Sequence, residues 1–474
     1  MLAAAAKAGR DRDELTRTRP RVGEAPFDSL RKRMTTWHRT PSGRIEICLK
    51  GAPEAVLDSA VLDDSPQTLE RARRAADALS TDGYRVLAVA SAVRDGLPAG
   101  YEDAESGLRL LGLAAISDPP KAAAADTIAA CRLAGITPIL ITGDHPATAR
   151  AIATRVGVLG PDGGGAVITG RELAGGQAGG QAGDPTQVRV FARTTPQQKL
   201  DIVEAWQARG AVTAMTGDGV NDGPALRQAD IGVAMGRRGT EVARQAADLV
   251  LADDELSTVV SAVQEGRRVY DNIRRFLLYA LAGGVAEILV MLFGPFLGFA
   301  LPLRAGQILW INLLTHGLTG VAMGAEPVSA NAMRRPPRPP GQHVLGAGLW
   351  QRVLRLGTLV TAASLAAALW VRHAGQPWQT TLFLALLAAQ LGVVLGLRER
   401  LFTRENPFLP AAVLASAGLG AAALYLPFLQ SVLHTSPPSW IGLTAALSAA
   451  VAGFWAARAE HRSSRPAGTP MPRA

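Results

Sequence analysis

The sequence predicts a chain of three parts: a partial α+β domain, an α/β domain on a parallel sheet, and an all-α bundle of six transmembrane helices. Three observations carry that prediction. Residues 1 to about 112 are polar and mixed, with short strand-like and helix-like patches. From Leu111 to about Leu251, apolar runs alternate with Gly/Asp turns and helix-compatible stretches. Beyond Asp271-Asn272, long apolar segments follow one another almost to the C-terminus. The expected domains are 1–112, 113–258 and 259–460, with a polar tail at 461–474.

In the first part, Thr68–Leu79 has helical spacing, and Ile45–Leu49 and Arg85–Ala90 read as strands. Asp11–Thr16 reads as a charged helical surface. The N-terminal MLAAAAKAGRDRDEL has acidic residues and no long apolar core, so it does not read as a secretory signal. In the second part, LLGLAAI, ITPILIT and AVTAMT each end in a polar turn, as strands of a parallel sheet do, and ligands gather at the carboxyl ends of such strands. The GGQA repeat in Ala174–Asp184 reads as a surface loop.

The third part holds six apolar segments: Phe276–Leu303, with Glu287 as its one charge, Ala305–Ala325, Val353–Val371, Thr380–Leu397, Phe408–Leu429 and Trp440–Ala457. Each approaches the roughly 20 residues that cross a bilayer as a helix. Arginines cluster at the flanks that six crossings place on one side, so the soluble part is expected in the cytosol of a cell-membrane protein. The 49 Lys and Arg against 40 Asp and Glu give a net charge of +9. These cations are spread over loops and membrane flanks with little aromatic interleaving, which argues against nucleic acid. Two cysteines, Cys48 and Cys131, fall in different predicted domains and form no disulfide framework.

The most informative stretch is Ala214–Leu226, AMTGDGVNDGPAL. Asp218 and Asp222 stand four residues apart, with Asn221 between them and glycines around. Carboxylates in this setting suit Mg²⁺, a hard cation that shares its shell with phosphate oxygens and water. The glycines let the backbone approach a phosphoryl group. Upstream stand PILITGDH at Pro138–His145 and FARTTPQQK at Phe191–Lys199. In chain order the three motifs resemble those of haloacid-dehalogenase-type phosphotransferases, and Ala214–Leu226 resembles the hinge signature of the P-type ATPases within that superfamily. The resemblance implies a haloacid-dehalogenase-like phosphorylation domain. In it, Thr142, Gly143 and Asp144 hold phosphoryl oxygens, and Lys199 neutralises phosphoryl charge. Asp218 and Asp222 hold Mg²⁺, with Asn221 bonding nearby.

Asp118-Pro119-Pro120-Lys121 resembles the family's DPPR element near the nucleotide, with lysine in place of arginine. FDSLRKRM at Phe27–Met34, KGAPE at Lys50–Glu54 and YRVLAVA at Tyr84–Ala90 resemble the adenosine-binding elements. The implied ATP-binding residues are Phe27, Lys32, Lys50, Arg85 and Asp118; Ser29 stands where members often have an arginine. In the membrane, AGGVAEIL and LWINLLTHGLTGVAMGAEP resemble the ion-binding helices of the calcium and sodium/potassium branch, implying Glu287, Asn312, Thr315 and His316 as ligands of a transported cation. Histidine at 316 replaces the branch's aspartate, and Gly284 replaces a frequent asparagine. This makes a poor calcium cage and suits a transition metal, a monovalent cation or a proton better.

The resemblance thus implies ATP-driven cation transport across a lipid bilayer, with ATP and Mg²⁺ as cofactors. The family's phosphorylated aspartate lies in a DKTGT sequence, and these 474 residues contain none. The chain is therefore expected to form no covalent phosphoenzyme by itself. A partner chain carrying the missing half, or a non-hydrolysing nucleotide-binding role, are the alternatives.

Overall fold

The computed structural model describes residues 2–28, 30–81, 83–116, 120–160, 166–175, 184–400 and 403–463. Asp118 and most of the GGQA insert lie outside them. The chain divides into two compact units, Met1–Thr258 and Val259–Ala474.

The first unit opens with a five-stranded antiparallel sheet in the order β1 (Arg21–Asp28), β2 (Arg33–Arg39), β3 (Ile45–Gly51), β4 (Arg85–Arg94), β5 (Arg109–Ile116). Period-2 alternation sets its two faces. Ile45, Ile47 and Leu49 of β3 point into a core shared with Ala88 and Ala90 of β4 and Leu69 of the helix Pro66–Thr81. LLGLAAI, expected to begin the parallel sheet, is instead β5 and pairs antiparallel with β4. Its Leu111 is 67% exposed. A strand with one wet face belongs in an antiparallel sheet, and a short apolar run does not reveal this by itself.

Among the described residues, the α/β part holds two three-stranded parallel sheets with no ladder between them. One has the order β6 (Leu140–Ile141), β8 (Val188–Ala192), β7 (Ala166–Thr169); the other runs β11 (Leu249–Leu251), β10 (Ile231–Met235), β9 (Ala214–Gly217). ITPILIT was expected as a full strand, yet only two of its residues join a ladder. Pro138 lacks an N–H to donate, and among the described residues β6 has a single strand partner, β8. Helix α1 (Pro196–Ala208) connects β8 to β9 and packs on both sheets. Its Ile202 clusters with Val188 and Phe191, and the adjacent Val203 clusters with Met215 and Leu226.

The second unit is helical. Among the described residues, five helices are long and apolar enough to cross a membrane: α2 (Leu256–Phe293), α3 (Leu349–His373), α4 (Trp378–Gly396), α5 (Phe408–Tyr425) and α6 (Trp440–Ser463). Ala305–Ala325, expected as a sixth regular helix, is broken into a helix at Ala305–Ile311, a π-helix at Asn312–Thr319 and a helix at Gly320–Gly324. The bundle core joins Tyr279, Ala286 and Val290 of α2 with Val353 and Val360 of α3 and with Phe383 and Leu386 of α4.

Candidate functional site

β9 ends at Gly217, and the chain turns through Asp218-Gly219 into a 3₁₀ turn, Val220–Asp222, and then the helix Gly223–Gln228. Asp222 is 7% exposed. One of its oxygens accepts from Lys199 Nζ at 2.6 Å, and the other from the Gly219 amide at 3.1 Å. Only glycine fits at 217, because a Cβ there would lie 2.6 Å from that of Asp222. Asp218 and Asn221 are exposed. The two carboxylates expected to act alike are thus unlike: Asp222 is buried and ion-paired, and Asp218 faces solvent.

Lys199 is placed by its own helix start. In TTPQQK, Thr195 is the N-cap, Pro196 follows, and Gln198 completes a capping box with Thr195. Each residue type meets a need of the first turn, whose N–H groups lack helical acceptors. Lys199 follows at the next position, directed at Asp222. Thr142 stands just past β6, and its hydroxyl pairs with both the carboxylate and the amide of Asp144 at 3.1 Å. Gly143 between them is exposed. The carbonyl of Thr142 accepts from Thr194, and that of Asp144 from the Arg193 amide at 3.2 Å. The TGD turn is therefore stitched to the segment that leads into α1 and Lys199.

Arg193 has a positive φ of 51°, as does Lys32 with 55°. Both donate to Glu54 Oε1, at 3.0 and 3.2 Å. Burial pushes the Glu54 carboxyl up, but its own backbone amide, Arg193 and Lys32 outweigh that and hold it below its ordinary value. This contact joins the antiparallel-sheet region to the α/β region, and the sequence offered no sign of it.

Among the expected nucleotide residues, Phe27 is 65% exposed on β1. Lys50 on β3 stands between Met34 of β2 and Val89 of β4, and Arg85 lies two pleats along β4 on the same face as Val89. Lys50 and Arg85 thus share an exposed face. The loop carrying Lys32 is set by two carboxylates that sequence reasoning missed. Asp28 accepts from the Leu30 and Arg31 amides, and those bonds hold its carboxyl low. Glu105 is 3% exposed and accepts from Arg31, from Arg33 at 2.7 Å and from Thr35 at 2.8 Å.

In the second unit, Glu287 is 6% exposed. Its Oε2 accepts from Asn312 Nδ2 at 2.8 Å. Its Oε1 and His316 Nε2 are buried with no hydrogen-bond partner among the described residues. The His316 ring meets Tyr279 edge-on, with centroids 5.0 Å apart. Three of the four residues expected at the transported cation, Glu287, Asn312 and His316, therefore gather around one face of α2. The side chain of Thr315 lies outside the described residues. No trio of His, Cys, Asp or Glu gathers among the described residues, so this site combines a carboxylate and an imidazole with amides.

Residues 1–123 match the family described as "P-type ATPase, cytoplasmic domain N", and residues 300–462 match "Cation transporting ATPase, C-terminus". The chain belongs to the P-type cation-transporting ATPases. It is 42% identical over 456 residues to the "Probable cation-transporting ATPase F" of Mycobacterium tuberculosis, covering 92% of this chain and 50% of that protein. It is 39% identical over 477 residues to the "Calcium-transporting ATPase" of Bacillus subtilis, covering 96% and 53%. A third relative, the "Calcium-transporting ATPase 1" of Lactococcus lactis, is 38% identical over 374 residues, covering 77% and 42%. This chain spans about half the length of the curated relatives it matches. With several long apolar helices among its described residues, it is a multi-pass membrane protein.

Proposed function

We propose that this ATPase chain binds Mg²⁺-ATP through its soluble unit and holds the transported cation in its membrane unit, as part of an ATP-driven cation pump. The reading is supported above all by the Lys199–Asp222 pair beside an exposed Asp218 at the carboxyl end of β9. Asp222 fixes Lys199, and Lys199 supplies a preorganised positive charge for phosphoryl oxygens. Asp218 is the carboxylate left to take Mg²⁺, with Asn221 beside it. Thr142, Gly143 and Asp144 offer hydroxyl and amide groups from a haloacid-dehalogenase-like turn. Phe27, Lys32, Lys50, Arg85 and Asp118 serve the nucleotide. Glu287, Asn312, Thr315 and His316 serve the cation, and the interrupted Ala305–Ala325 segment makes the sixth crossing, with the soluble unit cytosolic.

The test is Mg²⁺-dependent binding of a fluorescent ATP analogue to the full chain in nanodiscs. Asp218→Asn is expected to raise the Mg²⁺ requirement at least tenfold, and Lys50→Ala to weaken nucleotide binding at saturating Mg²⁺. Nucleotide binding that ignores Mg²⁺ and both substitutions overturns the reading.

A further inference from the structure

Gly283 and Glu287 lie one turn apart on α2, on one face of the helix. Opposite them, His316 and Asn312 are likewise four residues apart in the π-helical segment. This makes two rungs. In one, Asn312 donates to Glu287 Oε2. In the other, the imidazole occupies the space a side chain at 283 would need: a Cβ there would lie 2.7 Å from His316 Nε2 and 3.3 Å from Gln390 Cδ. Gly283 therefore admits His316, and α4 brings Gln390 to the same place.

Among the described residues, Glu287 Oε1 and His316 Nε2, a carboxylate oxygen and an imidazole nitrogen, lack a direct hydrogen-bond partner in buried positions, and the Gln390 amide faces the Glu287 carboxylate. Buried polar atoms in a folded protein are ordinarily satisfied, and a π-helical segment in a helix commonly marks a functional site. Resting on the transport reading above, we propose that His316 Nε2 is a direct ligand of the transported ion, and that this ion is a borderline divalent transition metal.

Ligand chemistry decides among the cations. Calcium takes six to eight oxygens, usually several from carboxylates, and among the described residues Glu287 is the only carboxylate in this cluster. Alkali ions gain little from imidazole nitrogen. Imidazole with carboxylate and amide oxygen suits Mn²⁺, Co²⁺ or Zn²⁺. The amide of Asn312 already orients Glu287, and its carbonyl is a further oxygen donor. Gly283 is then a specificity-determining position, because any side chain there pushes the imidazole away.

Mn²⁺ alone is the probe, added to the full chain in nanodiscs and followed by pulsed electron paramagnetic resonance. Nitrogen coupling from one imidazole is expected, lost in His316→Asp. That variant should also bind Ca²⁺ at least tenfold more tightly than the parent chain does. Gly283→Ala should weaken Mn²⁺ binding at least tenfold while nucleotide binding by the soluble unit is unchanged. Glu287-dependent Mn²⁺ binding without nitrogen coupling, or displacement of Mn²⁺ by equimolar Ca²⁺, overturns the proposal and leaves the transport site standing. Absence of any cation binding that depends on Glu287 overturns the proposal together with the transport site.

Discussion

Glu105 accepts from two arginines and a buried threonine, and this one carboxylate ties the Lys32 loop to the antiparallel sheet. Glu105→Ala leaves those cations without a counter-charge in a buried place, and a loss of about 3–5 kcal/mol is expected from denaturant unfolding of the first unit. Burial pushes the Glu105 carboxyl up, but Arg33, Thr35 and Arg31 outweigh it, so the folded value lies below the unfolded one. Its stabilisation is therefore complete above the unfolded value of about 4.3 and lost as pH falls through the folded one. Glu105→Gln should remove that part of the acid-unfolding profile, and an unchanged profile would refute the assignment. Gly217→Ala drives a methyl into Asp222, with an expected cost of about 1–3 kcal/mol and a displaced Lys199. Lys199 and Asp222 were legible because each lies in a motif of distinctive composition. Glu105 was not, since its partner Arg33 is 72 residues away and no local pattern announces the pairing.

Among the elements, α1 was the most readable. Its threonine, proline and glutamine occupy the positions where the first turn uses them, and Thr195→Ala should cost about 1 kcal/mol and weaken the Lys199–Asp222 link. Thermal unfolding together with the nucleotide-binding assay separates the two effects. Elements set by distant partners were less legible. β5 joined the antiparallel sheet because β4 was there to pair with it, and β6 shrank to two residues with β8 as its single strand partner. The break at Asn312–Thr319 was also hidden, because the segment contains no proline and its spacing suits an ordinary helix. Packing against α2 selects the wider winding, with Asn312 on Glu287 and Thr319 on Tyr279.

At the scale of the whole molecule, the concentration of long apolar helices in the second unit was legible in hydropathy, because lipid leaves few ways to satisfy a backbone. What holds the membrane unit at its polar end was not. Glu326 and Arg398 form a buried ion pair, Asn406 donates to the same carboxylate at 2.8 Å, and Asn272 of α2 donates to the Gly324 and Glu326 carbonyls. Glu326→Ala should destabilise this unit by about 3–5 kcal/mol, measured by unfolding in detergent. Among the described residues, each of the two small parallel sheets of the first unit finishes in outer strands with a ladder on one side only, so a neighbouring copy in a crowded sample finds a ready template. Sedimentation should report assemblies that grow with protein concentration even where detergent keeps the helices apart. A lysine on the rim of β9, Ala214→Lys, should suppress that growth.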